Sequence, residues 1–367
     1  MPAHLWEGSQ TELNSANTNP IGSGPYMISK SDKQSSGIIN YYKLAPFKKF
    51  ILGEPYIKNI NFYFYQNEND LIKALFNNEV DQINSIAPLN AEILKEKKYQ
   101  VESSVLPRVF GLFFNQNQNQ LFIDKTIIKS IDQAIDKEKI VKEVLFGYGT
   151  VIDSPIPPNM IQYKKLENKT DISRQDLLQK VKNDLFKDGW KAGEDGFLEK
   201  TTTEKKKKAT KKLEFSISTG NFPELTKAAE LIKQDLAIVG IKVEIKTFET
   251  GNLNQNVIRP RKYDALLFGE IVNHESDLYA FWHSSQRKDP GYNVAMYTNA
   301  KVDKILEEAL IDLDEQSRIK KYMQFEDEIR KDMPAVFLYS PDFIYTVSKN
   351  LKGAKANHVI SSPDRYL

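Results

Sequence analysis

Residues 263–285, YDALLFGEIVNHESDLYAFWHSS, decide the fold because a short apolar run passes directly into a cluster of His, carboxylate and aromatic side chains. The apolar run from Ala265 to Phe268 is continuous rather than alternating, which is typical of a central strand covered on both faces. Open α/β sheets bind their ligands beyond the carboxyl ends of such strands. The sequence therefore predicts an α/β sheet with a ligand site in the residues that follow Phe268.

Length and composition limit the possible classes of protein. A chain of 367 residues predicts two lobes, because one hydrophobic core rarely serves so long a sequence. The 51 Lys and Arg residues nearly balance the 49 Asp and Glu residues, which argues against a nucleic-acid partner. The lysine-rich run from Thr201 to Lys212 favours a solvated hairpin tip over a nucleic-acid patch. The absence of Cys excludes disulfides, thiolate metal sites and Cys nucleophiles.

The N-terminal residues do not resemble a targeting segment. Met1–Gly8 has neither a basic region nor an apolar region of the kind that signal peptides carry. No window approaches the roughly 18 consecutive apolar residues of a membrane span. We therefore expect a chain without a membrane span and without an export signal of its own.

The order of predicted elements alternates strands with helices. Pro107 interrupts an apolar run at 105–115, and Gly147 follows a helix in the manner of a C-cap. Two strands joined by a helix, at 241–248 and 263–271 with their neighbours, predict a parallel part of the sheet. The predicted strands are 25–30, 37–44, 57–65, 105–115, 241–248, 263–271 and 335–339, with a hairpin at 197–219. The predicted helices are 69–77, 124–136, 137–146, 173–188, 222–239, 300–312 and 314–331.

Four polar residues after the central strand form the best candidate for metal binding or acid–base chemistry. They are His274, Glu275, Asp277 and His283. Their spacing matches no recurrent zinc-ligand pattern, so a metal-dependent hydrolase stays an alternative hypothesis only. A simpler interpretation is a strand-to-helix turn in which Asp277 caps a helix that starts at Leu278. Capping and ligand contact are compatible.

Several short motifs in a fixed order resemble the family 5 extracellular solute-binding proteins, the peptide, dipeptide and nickel receptors of ABC importers. Each motif is weak alone, but together they run over nearly the whole chain. Their positions are Pro20–Tyr26 (PIGSGPY), Phe114–Asn115, Ile131–Asp136 (IDQAID), Gly147–Gly149 with Pro155–Pro158, Phe281–Ser285 (FWHSS) with Val302–Asp303, and Pro334–Gly353.

The resemblance implies a two-lobed α/β fold of the periplasmic-binding-protein type (type II, cluster C). It also implies that a signal peptide, the opening strands of the first lobe and a small extra domain precede Met1, so lobe one is expected to be incomplete. We expect partial lobe one at 1–106 and 342–367, and lobe two at 107–341.

The function that the resemblance implies is binding without catalysis. An extended peptide adds as a strand between the lobes, closure buries it, and the closed form meets the permease subunits in the membrane. The same resemblance implies an extracytoplasmic location. We expect a peptide ligand, no nucleic acid, no metal or other cofactor, and a monomer. A peptide sensor or chaperone without transport is a second alternative.

The resemblance and the residue types together select a candidate ligand site. The resemblance makes Glu270–Val272 the backbone partner of the peptide and puts His274 where many relatives keep an Asp for the ligand ammonium. Either Glu275 or Asp277 then serves as the ammonium partner, or the ligand is not an ordinary free-amine peptide. Aromatic walls are expected from Phe110, Phe281, Trp282 and Tyr292, with ordinary core packing as the equal alternative. Arg108 suits a ligand carboxylate, with a plain surface arginine as the alternative. The predicted substrate-binding set is Arg108, Phe110, Glu270, Ile271, Val272, Asn273, His274, Asp277, Trp282, Tyr292 and Asn293.

Overall fold

The computed structural model describes residues 3–7, 10, 13–158, 160, 172–204, 207–348, 351–353, 355 and 359. The chain divides into two compact units, Met1–Ile83 and Asn84–Leu367. The lobe boundaries expected from the sequence, 106/107 and 341/342, stay a prediction. The predicted lysine-rich tip lies partly outside the described residues, because Lys205 and Lys206 are not among them.

The first unit is built around an antiparallel sheet of three strands, β1 (Tyr26–Lys33), β2 (Ile39–Pro46) and β3 (Ile60–Tyr63), which neighbour each other in that order. Asn67 caps the helix that follows, because its side chain accepts a hydrogen bond from the Asp70 amide. The strands predicted at 25–30, 37–44 and 57–65 and the helix predicted at 69–77 are confirmed by β1, β2, β3 and this helix. The elements are α1 (Ala3–Trp6), a 3₁₀ turn (Ser15–Asn17), β1 (Tyr26–Lys33), β2 (Ile39–Pro46), β3 (Ile60–Tyr63) and α2 (Glu68–Phe76), with β4 (Gln82–Asn84) at the junction of the units.

The second unit contains the main sheet and most of the helices. Its first elements are α3 (Pro88–Glu96), β5 (Gln100–Val105), β6 (Arg108–Phe114), a 3₁₀ turn (Gln120–Ile123), α4 (Lys125–Ala134), α5 (Lys137–Val144), β7 (Gly149–Val151), α6 (Arg174–Lys187), β8 (Lys191–Ala192), β9 (Leu198–Glu204), β10 (Lys207–Lys212) and β11 (Glu214–Gly220). Its later elements are α7 (Pro223–Ile238), β12 (Lys242–Phe248), α8 (Thr250–Asn252), a π-helical turn (Leu253–Ile258), β13 (Ala265–Ile271), α9 (Asp277–Trp282), a 3₁₀ turn (Ser284–Gln286), α10 (Ala300–Ile311), α11 (Glu315–Asp332) and β14 (Ala335–Val347).

The strand β13 lies in the middle of the main sheet, whose order is β12-β11-β13-β6-β14. It runs parallel to β11 and antiparallel to β6. Ala265, Leu266 and Leu267 are fully buried. The prediction of a central strand covered on both faces is confirmed, because a continuous apolar run is stable only where both faces are out of water.

The two faces of this sheet carry separate hydrophobic cores. On the Phe114 face, Phe114 and Leu267 pack with side chains of α4, α5, α6 and α7. On the Phe113 face, Phe113 and Leu266 pack with side chains of α9, α10 and α11. Neighbouring strand residues point to opposite faces, so this assignment also fixes the faces of the residues at the end of β13.

Two sequence predictions fail in this unit. The hairpin predicted at 197–219 ends earlier, because only β9 and β10 pair with each other and β11 joins the main sheet. The break comes at Leu213, which is fully buried and cannot continue a solvated hairpin. The last strand, predicted at 335–339, extends to Val347 because its second half pairs with β5. Sequence patterns within one segment do not record such distant partners.

Among the residues that the structure describes, no helix combines the length and the apolar character needed to cross a membrane.

Candidate functional site

The carboxyl end of β13 emerges from the sheet beside the beginning of β6. Ile271 pairs with Arg108, and Gly269 pairs with Phe110. Ile271 is 51% exposed, although the same strand is fully buried six residues earlier. The Val272 amide then donates to the Pro107 carbonyl oxygen over 2.9 Å. A buried strand therefore presents its last residues at the surface, next to the start of its antiparallel neighbour.

The backbone of β13 is paired unequally on its two sides. Toward β6 the pairing runs from Ala265 through Ile271. Toward β11, among the described residues, it covers only Ala265 and Leu266. The Thr219 hydroxyl donates to the Leu267 carbonyl oxygen over 2.9 Å and ends the contact. The side of Phe268–Ile271 that faces β11 is consequently an open strand edge, as a peptide strand requires.

An aromatic pair covers the Phe114 face of this edge. The ring of Phe110 is stacked on that of Tyr339, with centroids 5.0 Å apart and planes inclined by 10°. Phe110 also lies against the backbone of Gly269, where an added Cβ would stand 2.6 Å from the ring carbon Cζ. Glycine at position 269 is therefore required for the ring to occupy this place.

We predict that Gly269→Ala destabilises the protein by about 1–3 kcal/mol, the usual cost of forcing a side chain out of a packed position. The new methyl group must displace the Phe110 ring from Tyr339. Urea unfolding followed by tryptophan fluorescence measures the change. Gly24→Ala is the matched control, because nothing lies within 4 Å of a Cβ at that position. Equal midpoints for the two variants would contradict the prediction.

Arg108 begins β6 and is half-buried. Burial lowers the pKa of its guanidinium, and no carboxylate of the described residues offsets this effect. Among those residues none forms an ion pair with Arg108. A guanidinium that has lost part of its hydration and has no anionic partner is suited to bind a carboxylate in two parallel hydrogen bonds.

Glu270 lies on the opposite face of the strand from Ile271. It pairs with Val109, which belongs to the Phe113 face. The residue is 3% exposed, and neither of its buried carboxyl oxygens has a hydrogen-bond partner among the residues that the structure describes. Burial alone raises the pKa of Glu270 well above its usual range. Burial therefore favours the protonated, uncharged form of this carboxyl group.

Residues Val272–Ser276 connect β13 to α9 and form a short elbow. The side chain of Asp277 stabilises this elbow through hydrogen bonds. The Asp277 carboxylate accepts hydrogen bonds from the amides of Asn273 (2.9 Å) and His274 (3.1 Å). The prediction that Asp277 caps a helix from Leu278 is wrong, because the helix begins at Asp277 itself and the carboxylate reaches back to the elbow. The side chains of Asn273 and His274 remain exposed.

Two predicted site residues are core residues instead of surface ones. Trp282 is fully buried among aromatic rings, and its indole Nε1–H has no partner among the described residues. Asn293 is also fully buried. Its side-chain amide donates to the carbonyl oxygens of Trp282, His283 and Tyr297 and accepts from the Tyr297 amide. Neither side chain faces solvent in this structure.

Tyr292 is 63% exposed, with its ring centroid 6.1 Å from that of Phe281. The predicted set thus separates by location, with Trp282 and Asn293 in the core and Tyr292 exposed. Arg108, Phe110 and Ile271 share the Phe114 side of the sheet edge. Glu270 and Val272 belong to the opposite face, and the elbow carries the exposed polar residues. Their contact with a ligand stays a prediction.

The two histidines of the alternative hydrolase hypothesis have different environments. His283 is buried and stacked on Tyr279, with ring centroids 4.2 Å apart. Its Nδ1 lies 2.8 Å from the Ser285 hydroxyl, and its Nε2 lies 3.3 Å from a Glu307 carboxylate oxygen. Both ring nitrogens are therefore engaged locally, while His274 is exposed on the elbow. Within the described part of the chain, no three His, Cys, Asp or Glu residues are placed to hold a metal ion.

A comparison of the whole sequence with known families gives a match over residues 2–293 to the bacterial extracellular solute-binding proteins, family 5 Middle. The chain belongs to this family. The resemblance inferred from the short motifs is thereby confirmed. Family 5 proteins and the relatives named below are substrate-binding proteins and not enzymes.

Relatives of this family 5 chain include the oligopeptide-binding protein AppA of Bacillus subtilis, which is 28% identical over 92% of this chain and 59% of its own length. The solved structure of that protein, in complex with a nonapeptide, matches 97% of this chain and 69% of its own with a TM-score of 0.67 and 27% identity. The structure of NikZ from Campylobacter jejuni in complex with Ni(L-His) covers 97% and 69% with a TM-score of 0.69; at 23% identity it supports the fold alone.

These structural neighbours are periplasmic binding proteins, which confirms the predicted fold class. The chain spans about three fifths of the length of the curated relatives that it matches, 59–63% for the first two. That lobe one is incomplete stays a prediction.

Sequence reasoning missed two residues of this candidate site. Tyr339 and Gly269 shape the aromatic pair, and neither was a candidate. The signal for Gly269 was available, because a glycine inside a strand often marks a close approach of another group. A separate cavity of about 360 Å³ was also missed. Its lining residues are Glu92, Glu138, Val141, Lys142, Phe146, Gly147, Gly149 and Val151.

Proposed function

We propose that this family 5 protein is the substrate-binding component of an ABC importer, and that its ligand is a peptide bound in extended form along Phe268–Ile271. The open strand edge is the observation that carries the proposal. It offers alternate backbone N–H and C=O groups that β11 leaves unpaired. A peptide strand satisfies such groups whatever its side chains, so affinity comes mainly from the main chain.

The relatives favour a peptide over other solutes. The relative with 28% identity is named an oligopeptide-binding protein, and its structure contains a nonapeptide. Delivery to membrane permease subunits, an extracytoplasmic location and a monomeric state follow from the family and are parts of the same proposal. Capture between two lobes belongs to it as well.

Arg108 is the proposed partner of a ligand carboxylate. It stands across from Ile271, the exposed residue at the end of the open edge. A ligand carboxylate there restores the hydrogen bonds that the half-buried guanidinium lacks. Phe110 presents a partly exposed ring beside it, stacked on the buried ring of Tyr339, and this ring suits an aliphatic or aromatic ligand side chain without selecting one.

Binding of a defined peptide library tests the proposal. Peptides of about three to nine residues should raise the melting temperature of the purified chain, and more so at higher peptide concentration, since a ligand that binds only the folded state stabilises it. The proposal is wrong if no pool of peptides stabilises the protein, no ligand copurifies with it and calorimetry detects no heat of binding.

We predict that Arg108→Met weakens the binding of peptides with a free carboxylate by about 10–100-fold, which corresponds to about 1.5–3 kcal/mol for a charged hydrogen-bonded pair. The same peptides with an amidated C-terminus should bind both proteins alike. Titration calorimetry measures the affinities. Arg330→Met is the control, because Arg330 on α11 already pairs with Glu326 at 2.9 Å. An unchanged preference for the free carboxylate in Arg108→Met would contradict the assignment.

A further inference from the structure

Within the described part of the chain, the side chain of Glu270 has no partner that explains its burial. Glu270 is the residue before the exposed end of β13, and its two carboxyl oxygens are buried on the Phe113 face without a hydrogen bond to any described residue. An unpartnered buried polar group costs stability, and an ionised one costs far more. A carboxyl group that served only to hold the fold would be expected to bond to a neighbouring amide or side chain.

Charged residues near Glu270 along the chain and on the paired strand do not compensate it. Arg108 pairs with Ile271 and points to the opposite face, because Val109 beside it points to the Phe113 face. Glu275 and Asp277 follow on the elbow and on α9. None of the three shifts the pKa of Glu270, which burial alone raises.

The geometry of the open edge supplies a candidate partner. Side chains of a strand added beside Phe268–Ile271 alternate between the two faces of the sheet. One set therefore points to the face of Ile271, and the other points to the face of Glu270. Side chains opposite each other on one face stand about 4.5–5.5 Å apart at Cβ, within reach of a pair. The flanking residues Gly269 and Ile271 are partly or largely exposed, so the chain reaches the surface on both sides of Glu270.

We propose that Glu270 is a specificity-determining residue that makes this receptor prefer peptides with a basic side chain, Lys or Arg, at the position that points to the Phe113 face. This inference rests on the proposed function. When the pair forms, the Glu270 carboxylic acid releases one proton to solvent and becomes a carboxylate, while the ligand ammonium or guanidinium keeps its charge. No other reactant takes part.

A matched set of peptides tests the proposal on the full chain. Pentapeptides of alanine with a single Lys are compared with the same peptides carrying norleucine, which keeps the aliphatic stem without the charge. Each position is varied in turn. We expect one position at which Lys is preferred by about tenfold or more, as desolvated charge pairs allow. Glu270→Gln, which keeps the shape of the side chain, should abolish this preference, so that the Lys and norleucine peptides bind with about equal affinity.

Proton release provides a second readout that needs no variant. Calorimetry of the Lys peptide in phosphate and in Tris, whose heats of ionisation differ strongly, should indicate a net release of protons on binding. The norleucine peptide should release none. This comparison also decides the outcome if Glu270→Gln does not fold.

The outcomes separate the inference from the function on which it rests. Equal affinity for Lys and norleucine at every position, an undiminished preference in a folded Glu270→Gln, or no proton release would overturn the role of Glu270 while peptide binding still supports the receptor. Failure of every peptide to bind would overturn both. A Lys preference that is lost in Glu270→Gln, together with proton release, supports the inference.

Discussion

Replacing Trp282 by alanine is expected to lower the free energy of unfolding by about 3–5 kcal/mol, the range for removing a large aromatic side chain from a packed core. The indole is fully buried at the end of α9. Four rings surround it with centroids 5.9–6.3 Å away, those of Phe113, Tyr297, Phe325 and Phe337. These rings come from the sheet, from the loop before α10 and from α11. The cavity left by alanine would therefore open at the meeting point of several elements.

Urea unfolding monitored by far-ultraviolet circular dichroism measures this loss, because the signal does not depend on the tryptophan that is removed. Tyr292→Ala is the control. Tyr292 is an aromatic residue ten positions later whose side chain is 63% exposed, so its removal should change stability by no more than about 0.5 kcal/mol. Similar losses in both variants would show that Trp282 does not anchor this core.

Asn293→Asp should lower the free energy of unfolding about as much as Trp282→Ala does, although Asn and Asp side chains have nearly the same shape. The Asn293 amide donates to three backbone carbonyl oxygens, at distances of 3.0–3.3 Å. A carboxylate cannot donate, so the three carbonyls would lose their partner and a buried charge would face their negative ends. An uncompensated buried charge costs about 3–5 kcal/mol.

The pH dependence of this variant provides the sharper measurement. The carboxyl group introduced at position 293 is expected to have a pKa raised by burial, so its destabilising effect should grow as the pH rises above the value of an unfolded Asp and should shrink below it. Stability is measured by urea unfolding between pH 4 and pH 8. Asn254→Asp, at an exposed position of the π-helical turn, is the control. A loss that does not vary with pH would contradict the buried-charge explanation.

The different environments of Trp282 and Ile271, both predicted to belong to the ligand site, explain why the candidate site was only partly predictable. The sequence does not record which of them faces solvent. Trp282 was proposed as a wall of the ligand site, with core packing as the equal alternative. The structure places it in the core because α9 turns its inner side toward Phe113 and Phe337. Ile271 remains exposed because β11 ends before reaching it.

Asp277 illustrates the same limit on a smaller scale. A carboxylate just before an apolar helical stretch usually caps the helix, and that was the prediction. In the structure the chain bends so sharply after Val272 that the amides of Asn273 and His274 point back toward Asp277. Immediately before the bend, the Val272 amide donates a hydrogen bond to the Pro107 carbonyl oxygen, which joins two segments that are distant in the sequence. Local sequence cannot supply that contact.

The sequence by itself determined the central strand, most helix positions and the family. Each of these depends on a pattern within one segment or on the order of short motifs along the chain, and both can be read without distant contacts. Only the tertiary structure decided that Arg108 stands beside Ile271, that Phe110 stacks on Tyr339 over Gly269, and that Glu270 is buried with no hydrogen-bond partner among the described residues. Strand register and the points where neighbouring strands end produce these relations. They join residues up to 229 positions apart, as for Phe110 and Tyr339 (339 − 110), and are chosen by the packing of the whole sheet.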